Sequence, residues 1–374
     1  MSYKGKLREP VRLLAIAGAA ALTLTAVAAI APGGPAARAA VSYAQPAITV
    51  ADGNTVIAVQ TSGDGLRFYW NEHGTNTWHG EQVAANGTTY SAPAMIQDGN
   101  SVVIVARGVN NSLDFYWQTN GASGWNPEVV AGAQTTYSAP SVTQDGNGVI
   151  ISAEGRANSL DFYWAVNGSP TWNPEVVAGA GTTFSAPAET VNGNSVNIAA
   201  EGPGNSLDFY WAVNGSPTWN PEVVAGTGTT RSAPVIAASG GWVTIVTVNG
   251  TGLELTAYLA QDGTPTWNVE PNVGAFPGAI VPGMATYLGW DYVTETGAEG
   301  DLDLITIPDD EPGIWYSSRI AADNTAASSP AITFNGGDYN IAYIGGDGNL
   351  YFYWASGSGG GSWHKETVDT VADL

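Results

Sequence analysis

The residues able to do chemistry in this chain recur at fixed intervals. Trp70, Trp117, Trp164, Trp211 and Trp354 each close a Phe-Tyr-Trp triplet. A second tryptophan follows in every interval: Trp78, Trp125, Trp172, Trp219, Trp267, Trp315 and Trp363. Asn126, Asn173 and Asn220 come directly after three of these, and then Glu128, Glu175 and Glu222. Arg107, Glu154 and Glu201 stand at matching places, each in front of a glycine. This mixture suits sugars. The C–H face of a pyranose packs on an indole, and its hydroxyls need the bidentate acceptors and donors that Glu, Asn and Arg supply. The indole N–H adds one more donor. The same residues have structural uses. One Trp per repeat also serves as a wedge between neighbouring repeats, and Asp114, Asp161 and Asp208 can satisfy strand or turn backbone groups.

Catalysis finds little support. The three histidines are His73, His79 and His364, all near one turn of the first and last repeats. No carboxylate spacing makes them a metal set. There is no G-x-S-x-G, P-loop or dinucleotide fingerprint. The turn Asn167-Gly168-Ser169-Pro170-Thr171-Trp172 partly resembles the Asp-box of sialidases, but Gly directly follows Asn. An acidic run, Asp291, Glu295, Glu299, Asp301 and Asp303, leaves three readings open: a catalytic carboxylate cluster, a Ca²⁺ site, or a solvated loop, which is favoured. A unique active site also sits poorly with repeats two to four, which are near-copies of one another.

The elements that position these residues follow from the repeat. Units cover 44–90, 91–137, 138–184, 185–231, 232–278, 279–327 and 328–374, each opened by one proline of the series Pro46 to Pro330. In 138–184, strands are expected at about 139–144, 148–153, 159–166 and 175–178. Leu160, Phe162 and Trp164 alternate with Asp161 and Tyr163, the period of a half-buried strand. Asn167-Gly168 is a hairpin turn. Four short antiparallel strands per ~47 residues, seven times over, predict an all-β, seven-bladed β-propeller. Tyr43 stands where Tyr137 stands two units later, so the last unit can lie beside the first. If each 47-mer is one blade, no terminal strand need be exchanged to close the ring.

Composition agrees. Only 12% of the 374 residues are charged, with 48 Gly and 14 Trp, and there is no helical period outside the N-terminus. A formal charge of −22 argues against nucleic acid or an anionic membrane as partner. Zero Cys excludes disulfides and thiolate chemistry. Lys4, Lys6, Arg8 and Arg12 precede an uncharged apolar run, Leu13 to Ile30, and then Ala37-Arg38-Ala39. This is the layout of a secretory signal peptide over 1–39. The expectation is an exported propeller, 40–374, with no membrane insertion after cleavage.

The unit "strand, Glu/Arg-Gly-x-x-Asn-Ser-Leu, aromatic strand, Asn-Gly, Trp, Val-Val-Ala-Gly, Ser-Ala-Pro" resembles the repeat of bacterial seven-bladed propeller lectins similar to the Photorhabdus fucose-binding lectins. More distantly it is similar to the six-bladed fungal fucose lectins of the Aleuria type. The resemblance spans 44–374. It implies carbohydrate binding at several sites between adjacent blades, with glycans as partners, no catalysis and no cofactor. On that pattern Arg107, Glu154 and Glu201 match the polar position after the second strand. In units five and six the triplet has given way to Thr256-Ala257-Tyr258 and Leu304-Ile305-Thr306, so sites there are expected to be degenerate.

Overall fold

The computed structural model describes residues 43–374, apart from 73–74, 170, 252–253, 262, 265, 276–280, 298–299, 309–312, 323–325, 358–361 and 371–374. The expected signal peptide lies outside the described residues. Seven four-stranded antiparallel sheets follow one another along the chain, each in simple sequential order. In blade three the strands are Ser141–Asp145, Gly148–Glu154, Leu160–Val166 and Asn173–Ala178. Each repeat is one blade.

Position in the ring explains the residue types. The first strands touch their counterparts in both neighbouring blades, and Ala331–Asn335 packs on Ala47–Ala51, which closes the circle. The second strand is buried on both faces and reads as an apolar run, Val149-Ile150-Ile151 in blade three. The third strand alternates, sending Phe162 and Leu160 toward blade four and Tyr163 toward blade two. The fourth is the outer edge. Pro127, Pro174 and Pro221 sit on it, where a missing N–H costs no ladder bond and discourages edge-to-edge pairing.

The Gly-x-x-Asn-Ser-Leu-Asp segment is a loop lock. Ser112, Ser159 and Ser206 donate their hydroxyls to Asp114, Asp161 and Asp208 at 2.8, 3.0 and 2.9 Å. The carboxylates lie so close to Gly108, Gly155 and Gly202 that a Cβ there would fall 1.9–2.1 Å from an aspartate oxygen. Burial raises the pKa of all three aspartates, and the serine hydroxyl partly offsets it. These aspartates therefore serve the loop.

Among the described residues no strand is exchanged to close the ring. Tyr43 forms a parallel bridge with Ser328. Tyr69 donates its hydroxyl to Asp369 at 2.6 Å, and Trp78 Nε1 donates to Glu366 at 2.8 Å. Gln45 Nε2 donates to the Pro330 carbonyl at 2.7 Å.

The acidic run corrects the expectation of a solvated loop. Asp291 and Glu295 belong to the strand Trp290–Thr296 and Asp303 to Leu302–Pro308. Asp291, Glu295 and Asp301 are only 1%, 3% and 4% exposed. Asp301 takes the place of the lock serine, so a carboxyl faces the Asp303 carboxyl, and Arg319 approaches Asp301 at 2.6 Å. Burial, with Asp303 and Asp301 beside it, pushes Glu295 up to about 8. Burial and the Asp301 charge push Asp303 up to about 6, against the pull of Arg319. Glu299 lies outside the described residues.

Candidate functional site between adjacent blades

The aromatic triplets converge on the seams between blades. Trp117, Trp164, Trp211 and Trp354 each donate Nε1 to a glutamate on the neighbouring outer strand, Glu128, Glu175, Glu222 and Glu366, at 2.9 Å in every case. The strand pairing explains this. Trp164 sits opposite Asn173, and Glu175 two residues on lies on the same face of the sheet. Across the seam the late tryptophan of the next blade arrives edge-on to the triplet phenylalanine. Trp125 meets Phe68, Trp172 meets Phe115, Trp219 meets Phe162, Trp267 meets Phe209 and Trp78 meets Phe352, with centroids 5.0–5.1 Å apart. Such edge contacts suit the ring quadrupoles. Several of these indoles also donate to the preceding blade's glutamate: Trp78 to Glu366 and Trp125 to Glu81 at 2.8 Å, Trp219 to Glu175 at 3.4 Å. The late tryptophan is thus both wedge and wall.

Above each clamp a cavity opens. The one between blades two and three holds about 600 Å³ and is lined by Trp117, Trp172, Phe115, Glu128 and the turns at Asp98 and Asn167. The next holds about 470 Å³ between Trp164, Trp219, Glu175 and Asp145. A third, about 430 Å³, lies between Trp211, Glu222 and Trp267, and a fourth, about 290 Å³, between Trp354, Glu366 and Asn71. These volumes are in the range of small-ligand sites. Trp164 is 37% exposed, so its ring is reachable. All four cavities are bordered by the turns between strands one and two or three and four, or by the strand ends that flank them. They therefore open on one end of the ring.

The predicted residues divide into groups. Asn126, Asn173 and Asn220 donate to the backbone carbonyls of Trp117, Trp164 and Trp211 at 3.2–3.3 Å and so close the outer hairpin. Arg107, Glu154 and Glu201 lie at the other end of the strands, away from the indoles. Arg107 Nε donates to the Tyr90 carbonyl at 3.0 Å, Glu154 accepts from Asn158 at 2.7 Å, and Glu201 accepts from Asn205. Burial raises the pKa of Glu154 and Glu201, opposed by those asparagines and by the charges of Arg107 and Arg231. Trp70 faces the seam between blades one and two but stacks on His79, as Trp354 stacks on His364. His73 lies outside the described residues. Among the described residues no group of three His, Cys, Asp or Glu could hold a metal ion.

Glu81 and Glu366, with Asp98 and Asp145, were not singled out by sequence reasoning. A signal existed for the glutamates. They follow the triplet tryptophan by the same 11 residues in units one to four, from Trp70–Glu81 to Trp211–Glu222, and by 12 in unit seven. In blade five the register corrects the triplet by one residue, from Thr256-Ala257-Tyr258 to Ala257-Tyr258-Leu259, because Leu259 lies opposite Asn268 as Trp164 lies opposite Asn173. Leu259 thus stands in the place of the triplet tryptophan there, and Thr306 in blade six. Between blades six and seven, Tyr292, Phe334 and Tyr339 fill the space with one another's rings.

No protein-family model and no curated protein matches the chain. Solved structures do. The BP39L lectin of Burkholderia pseudomallei aligns over 86% of this chain and 98% of its own, with a TM-score of 0.77 at 20% identity. The chain has the fold of that lectin. An Aleuria aurantia lectin in complex with Fucα1-6GlcNAc aligns over 89% of this chain and 97% of its own, at TM-score 0.53 and 13% identity. A prolyl endopeptidase aligns over 86% of this chain but 49% of its own, at TM-score 0.55 and 13% identity. The resemblance read from the repeat holds at the level of fold.

Proposed function

We propose that this protein is an exported, multivalent glycan-binding protein that holds sugars in the seams between blades without catalysis. The observation that carries this reading is the indole–carboxylate cavity repeated at three consecutive seams and again at the closing seam, all opening on one end of the ring. A pyranose has a face for each indole and hydroxyls for each glutamate. Several weak sites on one rigid face give avidity on a polyvalent surface. The lectins that share the fold support the sugar, one of them being bound to Fucα1-6GlcNAc. Repetition supports binding over turnover, because the same constellation stands in near-identical seams. Arg107, Glu154 and Glu201 act in this reading through the loops they tie down.

The test is a glycan array followed by titration calorimetry on each hit. The expected stoichiometry exceeds one sugar per chain, and Trp164→Ala lowers it by one site. A folded protein that binds no glycan overturns the reading. Export is tested by N-terminal sequencing of protein recovered from the medium, with a mature end expected near Ala40.

A further inference from the structure

Resting on the glycan-binding reading, we infer that the seams flanking blade three select an amine-bearing sugar in its ammonium form. The cavity between blades two and three contains two carboxylates, Asp98 and Glu128, and two indoles, Trp117 and Trp172. The next repeats the set with Asp145, Glu175, Trp164 and Trp219. Among the described residues no lysine or arginine lines either cavity, nor the cavity between blades four and five or the one at the closing seam of blades seven and one.

The carboxylates are held in place by neutral donors. Trp117 Nε1 fixes one oxygen of Glu128 at 2.9 Å, and Trp164 Nε1 does the same for Glu175. Asn167 Nδ2 and Gln144 Nε2 hold one oxygen of Asp98 at 2.6 and 3.1 Å, and Asn214 Nδ2 holds Asp145 at 2.7 Å. Indole and amide N–H groups orient a carboxylate but leave its charge uncompensated. Of the six basic side chains of the propeller, five are engaged elsewhere: Arg107 on the Tyr90 carbonyl, Arg231 on the Gly250 carbonyl, Arg67 by Asp369, Arg319 by Asp301, and Lys365 over the Tyr351 ring. The sixth, Arg156, stands in the loop between strands two and three, at the opposite end of the blade.

A cavity walled by indoles and carrying two uncompensated carboxylates favours a cation. The ring faces attract it through their quadrupoles, and the carboxylates meet it with charge-assisted hydrogen bonds. An ammonium on a pyranose satisfies all three requirements at once. Its C–H face stacks on indole, its hydroxyls find the turn amides, and its charge sits between Glu and Asp. A sugar with only hydroxyls leaves the charges unmet. A sialic or uronic acid brings a third negative charge into the cavity. The net charge of −22 on the whole chain works in the same direction at longer range.

The experiment compares glucosamine oligomers with N-acetylglucosamine oligomers of equal length by calorimetric titration of the protein. The amine form is expected to bind at least tenfold tighter at low ionic strength. That advantage should shrink with added salt and with a pH high enough to deprotonate the sugar amine. The double variant Glu128→Gln, Glu175→Gln keeps the hydrogen bonds from Trp117 and Trp164, gives up only the longer one from Trp219 to the second oxygen of Glu175, and should erase the preference while neutral sugars still bind. Equal or tighter binding of the acetylated oligomer overturns this inference and leaves the glycan reading intact. A lysine-rich peptide that binds where glucosamine does not also overturns it. If no sugar of any kind binds, both readings fall.

Discussion

Glu189 occupies an inner-strand position that Ile48, Met95, Val142, Ile236, Met284 and Ile332 fill in the other blades. Its carboxyl is buried beside Ser152 and Thr143 of the preceding blade, and burial pushes its pKa up to about 8. Glu295 is shifted to a similar value. The folded-state pKa lies above the ordinary 4.5, so folding favours the protonated form. The stabilising contribution is whole below about pH 4.5 and is lost as pH rises through 8, at about 1.4 kcal/mol per pH unit for each group. Stability should therefore fall from mildly acidic to mildly alkaline conditions. Glu189→Met should flatten this slope and raise unfolding free energy by about 2–4 kcal/mol at pH 8, with little change at pH 4. Urea denaturation at the two pH values measures this, and an unchanged slope in the variant would rule out Glu189 as its source.

At the scale of the element, the loop between strands two and three explains the most repeated polar motif in the sequence. Gly155 leaves no room for a side chain, because a Cβ would lie 2.1 Å from an Asp161 oxygen and 2.4 Å from Ser159 Oγ. Gly155→Ala should cost about 1–3 kcal/mol through this overlap. Adding Asp161→Ala removes the nearer obstacle and releases the Ser159 hydroxyl to turn away from the other, so the double variant should be less destabilised than the two single costs summed. Additive costs in thermal melts would show that the loop relaxes by another route. The strands themselves were legible from residue types. Period-two alternation in Leu160–Val166, Asn-Gly at the outer hairpin and one proline per unit set four strands per repeat to within two residues of those observed. The grouping of the site was less legible. Glu154 and Trp164 both recur in the sequence, yet hydrogen-bonding register puts them at opposite ends of the blade. The alliance of Trp172 with Phe115 depends on how one blade leans on the next, and no local pattern encodes that. The acidic run misled for a related reason. Charge suggests solvent, whereas Asp291 and Glu295 stand on a second strand, which is buried on both faces whatever its residue types.

At the scale of the whole molecule, one seam differs from the other six. Blades one to seven are joined in sequence by short linkers, whereas blades seven and one meet without a linker and without an exchanged strand. Besides the single parallel backbone bridge of Tyr43 with Ser328, that closure rests on side chains: the packing of Ile57, Val59 and Tyr69 against Ala342, Ile344 and Phe352, the Tyr69–Asp369 and Trp78–Glu366 hydrogen bonds, and Asn335 donating to the Gly53 carbonyl at 3.0 Å. Trp78 and Trp172 do the same wedge work, at the closing seam and at an internal one, with nearly equal ring geometry. Trp→Ala at either position removes similar apolar area, at a cost of about 3 kcal/mol, and Trp78→Ala loses about 1 kcal/mol more with its hydrogen bond to Glu366. The kinetic consequences should diverge. An internal seam that opens is held near its partner by the chain and recloses quickly, because the loop to be closed is short. The closing seam has no such tether, so the ring can part there and unfold from both ends. Trp78→Ala should therefore unfold about tenfold faster than Trp172→Ala in the same denaturant, read by intrinsic fluorescence. Amide exchange should likewise rise first in Ala47–Ala51 and Ala331–Asn335. Equal unfolding rates would mean that the seven seams break together and that the chain break carries no special weakness.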